Sequence, residues 1–317
     1  MTGTHVVAID IGGTKMAAGL VSSTGEVSGE REVPTDQRDA ANVATALDEL
    51  VDGVLGHAAE AGIEVADVVG VGSAGPVDTP AGTVHPVNIA SLRGFPLVER
   101  VAARAGAVLG RRVRAALAQD GQCFAAAEQW IGAAAGSPSV LGVVVSTGIG
   151  GGIVLDGRIL TGKTGNAGFI SHVGVVLDGE RLPGSGALGV VEAYASGPSM
   201  VRAALARGWR AGERVDAKVL TADAAAGDPL ARDVIAAGTR ALASAFLSTA
   251  ALFDLSDIVV GGGVASAGAV LMDPLRAAYA ELAVYPHLAD VAISASLLPR
   301  RSGLIGAGRL GWQTLQA

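Results

Sequence analysis

A chain of 317 residues with half of them hydrophobic, 46 glycines and a net charge of −7 is long enough for two α/β domains and too apolar for disorder. No Lys/Arg cluster is present to neutralise a nucleic-acid backbone, and no run of about 20 apolar residues free of charges and glycine breaks suggests a membrane span. The N-terminus lacks a charged segment followed by an apolar core, and the lone Cys123 excludes an internal disulfide framework; both fit a cytoplasmic protein.

In chain order, three strands are expected first, over about 5–10, 16–22 and 26–33, with Ser22-Ser23-Thr24-Gly25 turning between the last two. A long amphipathic helix follows over 39–61, with Val43, Leu47, Leu50 and Val54 on one face. A buried strand at 68–71 runs into Gly72-Ser73-Ala74-Gly75-Pro76, then a helix at 97–105 and a strand at 113–117. The second half repeats the theme. A helix over 122–131 precedes a strand at 140–145, a glycine-rich turn over 148–152, and a strand at 153–155 closed by the hairpin pair Asp156-Gly157. Helical patterning dominates 197–252, a strand at 258–260 enters Gly261-Gly262-Gly263, and a last strand at 291–295 precedes a helix from Leu304. The parallel between the halves predicts a duplicated architecture with a cleft between two lobes.

Asp10-Ile11-Gly12-Gly13-Thr14-Lys15 ends the first strand in a carboxylate and breaks at once into a tight turn. The two glycines let backbone amides face phosphate oxygens, Thr14 adds a hydroxyl, and Asp10 is suited to a hydrated magnesium ion. Lys15 either joins this phosphate site or is a strand-edge charge. The segment Ser146 to Gly152 is a second such turn, with Thr147, Gly148 and Gly150 as candidate phosphate contacts. Gly262 and Gly263 allow a flat ligand such as adenosine to approach the backbone. None of the three turns has P-loop or Rossmann spacing. Asp120 follows an apolar strand and opens a helix, where a carboxylate serves either as helix cap or as general base.

These motifs, together with Gly165-Asn166-Ala167-Gly168 to His172 and Glu192 to Gly197, resemble the ROK family over essentially the whole chain and in order. The resemblance implies an α/β fold of the actin/hexokinase (ribonuclease H-like) type, two lobes with an interlobe cleft. The small lobe would take residues 1–117 plus 303–317 and the large lobe 118–302. It also implies ATP with Mg2+ as phosphate donor, a small-molecule sugar as acceptor, and a homodimer or homotetramer. On this basis Asp120 is the general base for the attacking sugar hydroxyl, at C6 of a hexose. Gly75, Asn88, Gln119, Phe169, His172 and Glu192 fall at sugar-contacting positions.

Three departures from the family pattern bear on chemistry. The Cys-rich zinc loop that the family often carries before the Glu reads Pro183 to Glu192 here, with Pro183, Ser185 and Val190 at the thiol positions. Only His172 remains of that ligand set, so no zinc is expected. Gln119 replaces the usual Asn before the catalytic Asp, and Phe169 replaces the usual Glu three residues before the His. Both positions normally bind ring hydroxyls, so a modified or amino hexose becomes a candidate substrate. The alternative is a sugar-binding regulatory ROK paralogue without kinase activity. A DNA-binding repressor of the family carries a long N-terminal helix-turn-helix, which the first strand at residue 5 leaves no room for.

Overall fold

The computed structural model describes residues 4–87, 89–298 and 300–316, and in it the apolar run Val6–Ile9 forms the fully buried middle of a strand. The elements in chain order are β1 (His5–Ile11), β2 (Lys15–Val21), β3 (Val27–Pro34), α1 (Ala40–Ala61), β4 (Val65–Ser73), β5 (Val77–Asp78), β6 (Thr83–Val84), α2 (Leu97–Leu109), β7 (Arg114–Gln119) and α3 (Asp120–Ile131). There follow β8 (Ser139–Val145), β9 (Ile149–Leu155), β10 (Arg158–Ile159), α4 (Glu192–Ala195), α5 (Gly197–Ala206), α6 (Ala217–Ala226) and α7 (Pro229–Phe253). The chain ends with β11 (Asp257–Gly261), α8 (Ala269–Leu282), α9 (Pro286–Ala289), β12 (Ala292–Ala295) and α10 (Ser302–Gln316). Asp156 and Gly157 both adopt left-handed backbone, as the expected two-residue hairpin between β9 and β10 requires.

Two five-stranded sheets have equivalent order, β3-β2-β1-β4-β7 and β10-β9-β8-β11-β12. In the first, β1 pairs antiparallel with β2 and parallel with β4, and β4 continues parallel to β7. In the second, β8, β11 and β12 are the parallel members. This repeated pattern is the duplicated α/β architecture that the sequence predicts. Parallel strands are near-continuously apolar because helices cover both faces, and β4 accordingly buries eight of its nine residues.

By internal packing the chain divides into one unit of Met1–Gly136, Gly152–Gly168 and Arg300–Ala317, and another of Ser137–Gly151 and Phe169–Pro299. The first unit therefore extends beyond the expected break at 117/118. The reason is α3, which packs against α10 so closely that a side chain at Gly306 would overlap the Cys123 carbonyl. Residues 152–168 stay with it because Gly152 lies directly on the first turn of α3 at Gln122. The same closeness recurs at Gly70 of β4, where any Cβ would collide with the Ala307 carbonyl of α10. In the first unit Ile9, Ile11, Met16, Leu47, Leu50, Val54, Val69 and Leu97 share one buried core with α1 and α2 on it. Asp39 caps α1 through the Ala41 N–H at 2.8 Å. In the second unit α7 is apolar and long enough by composition to cross a membrane, which the sequence reading did not anticipate. More than half of its most apolar stretch is buried, against α4, α5, α6 and α8, as in a core helix.

Candidate active site

Sheet register assembles the first half of the site. Asp10 pairs with Gly72, Ile11 with Ser73, and Ser73 in turn with Gln119, so the carboxyl ends of β1, β4 and β7 lie side by side. Ligands of open parallel sheets bind beyond those ends. The turn after β1 is shaped by its own carbonyls: Thr35 Oγ1 donates to Gly12 O at 2.9 Å, Gln37 Nε2 donates to Gly13 O, and Thr35 N–H donates to Thr14 O at 3.0 Å. In a trans peptide C=O and N–H point oppositely, so the Gly13 and Thr14 amides face away from the 35–37 segment. That is the outward amide face the sequence called for. Lys15, by contrast, donates to Glu32 on β3 at 2.5 Å, with both side chains about half exposed, so the strand-edge reading describes it.

Asp10 is half-buried, and its carboxylate lies on the first turn of α10, where a Cβ at Gly303 would overlap it. Burial and the negative charge of Asp120 push its pKa up to about 7, while Lys15 pulls it down. Such a carboxylate is short of positive charge. Asp120 is the first residue of α3, yet the capping duty belongs to its neighbour. Gln119 forms a capping box with Gln122, its own N–H donating to Gln122 Oε1 at 3.0 Å while its side chain accepts from the Gln122 N–H. Asp120 keeps one local bond, Oδ1 accepting from Gly121 N–H at 2.7 Å. Its side chain remains exposed at the tip, and the surrounding protein raises its pKa against the pull of that bond. Cys123, fully buried beneath both acids, has its thiol pushed well up and behaves as a small core residue.

Gln119 is buried, and its polar atoms are spent internally. Beyond the capping box, Nε2 donates to Asn166 Oδ1 at 2.7 Å. Gly75 packs against it, since a Cβ there would fall 2.5 Å from Gln119 Oε1. Gly75 O and Pro76 O accept from the Val87 and His85 N–H groups. Asn88 lies outside the described residues.

In the second unit the tight turn is Ser146–Gly148, closed by Ser146 N–H on Gly148 O at 2.9 Å. The expected turn over 148–152 is corrected here: β9 begins at Ile149, so Gly150 is a strand residue. Glycine at 152 is required by its packing on α3. Thr147 is exposed at the turn's tip, and Gly263 lies beside it, its Cβ direction 3.5 Å from Ser146 Oγ. Gly262 has φ +96° and would strike the Val145 backbone with any side chain, so the chain's own packing requires it. Glu192 opens α4 and accepts from the Ile149 N–H at 2.6 Å, which ties its carboxylate to the same turn. Phe169 and His172 pack at a 36° tilt with ring centroids 4.9 Å apart, both exposed, and His172 Nδ1 is 3.0 Å from Ser171 Oγ.

The segment with the zinc-loop frame is closed by the chain itself. Leu182, Val190 and Ala193 form a small buried cluster with Ala187 and Tyr194 packed on it. Leu182 N–H donates to Ala187 O at 2.8 Å, and Tyr194 OH accepts from Glu180 N–H at 2.6 Å. Among the described residues no group of three His, Cys, Asp or Glu is placed to hold a metal ion. Two residues that sequence reasoning gave no role stand out: Gly303, under Asp10, and Asn166, bonded to Gln119. Asn166 lies in one of the motifs that carry the family resemblance and Gly303 has no local signal, and each gains its meaning from a partner more than 40 residues away.

A model of the ROK family matches residues 6–313 of the chain. The glucokinase of Streptomyces coelicolor is 32% identical over 320 residues, covering 96% of both chains. The N-acetylmannosamine kinase of Salmonella paratyphi A is 33% identical over 305 residues, covering 96% of this chain and 97% of that one. The solved structure of a ROK family glucokinase from Streptomyces griseus, in complex with glucose and AMPPNP, matches with a TM-score of 0.78 at 31% identity, over 98% of this chain and 99% of that one. The chain shares with it the actin-like α/β fold.

Proposed function

The chain belongs to the ROK family and is a sugar kinase, and we propose that it transfers the γ-phosphoryl group of ATP to the C6 hydroxyl of a hexose, with Asp120 as general base. The observation that carries this reading is the division of labour at the start of α3. Gln119 caps the helix, which leaves the Asp120 carboxylate, exposed beside Asp10 at the ends of β1 and β7, for the acceptor proton. Asp120 accepts the hydroxyl proton as the sugar oxygen attacks, and its raised pKa brings it closer to the basicity that proton transfer near neutral pH needs. The outward amides of Gly13 and Thr14 in one unit, and the turn at Thr147–Gly148 in the other, are suited to phosphate oxygens.

Magnesium usually rests on one or two carboxylates plus phosphate oxygens. Asp10 fits that pattern, being a carboxylate whose burial and neighbouring Asp120 leave it short of positive charge. Asp10 would hold the ion, which supplies neutralisation of the charge on the transferred phosphoryl group.

The acceptor we propose is an amino or otherwise modified hexose. Gln119 is buried with its amide nitrogen given to Asn166 and its oxygen turned to the start of α3, and Phe169 offers an exposed apolar ring where the family has a carboxylate. An exposed aromatic ring beside His172 suits an acetamido methyl better than a hydroxyl. The N-acetylmannosamine kinase among the relatives is compatible with this choice. The test is ADP release with ATP and a panel of hexoses and amino hexoses, read as kcat/KM, with the phosphorylated carbon located by NMR. A preference for an amino hexose phosphorylated at C6 is expected. Equal kcat/KM for glucose and every modified sugar would refute the substrate reading.

A further inference from the structure

Asn166 sits in a loop between Gly165, whose φ is +93°, and Gly168 at +83°, and it uses every hydrogen-bonding site its amide has. Its Oδ1 accepts from the Val77 N–H at 2.9 Å and from Gln119 Nε2 at 2.7 Å. Its Nδ2 donates to Val77 O at 2.7 Å and to Thr164 Oγ1 at 2.9 Å. Two lone pairs and two N–H groups are the full capacity of the side chain. Turning the amide over would set N–H against N–H at both Val77 and Gln119, so one orientation is dictated by the partners.

One branch of this network ends in the Gly75–Val77 segment, where the family resemblance places an acceptor contact, and the other ends at Gln119, directly before the proposed base Asp120. One branch holds Val77, two residues after Gly75, in a segment whose other side is fastened by the Gly75 and Pro76 carbonyls to residues 87 and 85. The other branch holds Gln119, whose remaining polar atoms cap α3 immediately before Asp120. A Cβ at Gly75 would touch Gln119 Oε1, so the two branches also meet. Leucine at 166 would fill similar space but leave three partners unpaired: the two Val77 backbone groups and the buried Gln119 amide.

We propose that Asn166 is a positioning residue that locks the Gly75–Val77 segment and, through Gln119, the base Asp120 into one arrangement for the acceptor. This inference rests on the kinase reading above. Its sequence of contacts, Val77 to Asn166 to Gln119 to Asp120, lies wholly within the first unit.

The experiment compares the wild type with Asn166→Ala and Asn166→Asp in steady-state kinetics with ATP and the best sugar of the panel, alongside thermal melting. Displacement of a reacting group by about 1 Å costs up to ~100-fold in rate, so Asn166→Ala should lower kcat by ~10-fold or more and raise the sugar KM, leaving the ATP KM within ~2-fold. Asn166→Asp keeps an acceptor for both the Val77 N–H and Gln119 but sets its second oxygen against Val77 O, so its kcat should lie between those of the alanine variant and the wild type. An alanine variant that melts earlier but keeps kcat and sugar KM has lost only a structural tie, and that result overturns the proposal. So does a rise of both KM values together. Should Asn166→Ala not fold, Gln119→Met cuts the same connection one residue before the base, and unchanged turnover there overturns it equally. Absence of ADP release by the wild type with every sugar would instead remove the kinase reading and this inference with it, a pattern distinct from an active wild type and an equally active variant.

Discussion

Asp120→Asn separates catalysis from architecture at the residue on which the proposed function depends. Removing a general base typically costs ~10²–10⁴ in rate, which at about 1.36 kcal/mol per decade is a barrier increase of roughly 3–5 kcal/mol. The fold has little reason to respond. The variant amide retains an oxygen for the Gly121 N–H now bonded at 2.7 Å, and the cap of α3 is made by Gln119 and Gln122. Stability should in fact rise at neutral pH. The Asp120 pKa is raised above 3.8 in the folded protein, so below 3.8 the wild-type acid is protonated in both states and variant and wild type differ least. As pH climbs through the folded-state pKa, the unfolded chain ionises first and the wild type loses stability that the uncharged variant keeps. The advantage of the asparagine variant therefore grows with pH and levels off above that folded value. Removing the charge also relieves the repulsion on Asp10. The measurements are kcat by coupled ADP release, and calorimetric melting across a pH series of the ligand-free protein. In the wild type the acid limb of kcat should lie above the ordinary carboxylate range. A variant with kcat within tenfold of wild type would refute the assignment, and one that melts below wild type at pH 7 would refute the raised pKa.

The other predictions probe different parts of the molecule. Gly303→Ala places a methyl on the Asp10 carboxylate and should cost about 1–3 kcal/mol of stability in denaturant unfolding while raising the KM for MgATP; an unchanged KM would mean that Asp10 tolerates displacement. Leu182→Ala opens a cavity in the small cluster under Tyr194 and should destabilise by about 2–5 kcal/mol if that cluster unfolds with the rest. A strong chelator should leave the melting temperature of the wild type unchanged, and a fall would reveal a structural metal. Phe169→Glu restores the carboxylate of the family pattern and should shift the ratio of kcat/KM toward plain glucose by ~10-fold, the equivalent of one charged hydrogen bond. A ratio that does not move would take Phe169 out of the specificity determinants.

Strand positions were largely legible in the sequence, because Val6–Ile9, Val140–Val145 and Ile258–Val260 are short apolar, β-branched-rich runs bounded by turn residues, as buried strands require. The tight turn after Asp10 was legible for a similar reason, since two glycines and a threonine at a strand's end constrain the local backbone. The glycines over 150–152 misled, because a glycine in a turn and a glycine under a helix look alike until Gly152 is seen against Gln122. Family membership and sugar-kinase chemistry were likewise written along the chain, in motifs whose order and local geometry carry the information. What the tertiary structure alone decided is which side chains remain free to act. Gln119 and Asp120 are adjacent in sequence, and either could cap α3. Asn166, more than 40 residues away, holds the amide of Gln119, Gln122 completes the cap, and the carboxylate of Asp120 is left outside it. Hydrogen-bond capacity is local to a residue, but its use depends on partners that only folding brings within 3 Å.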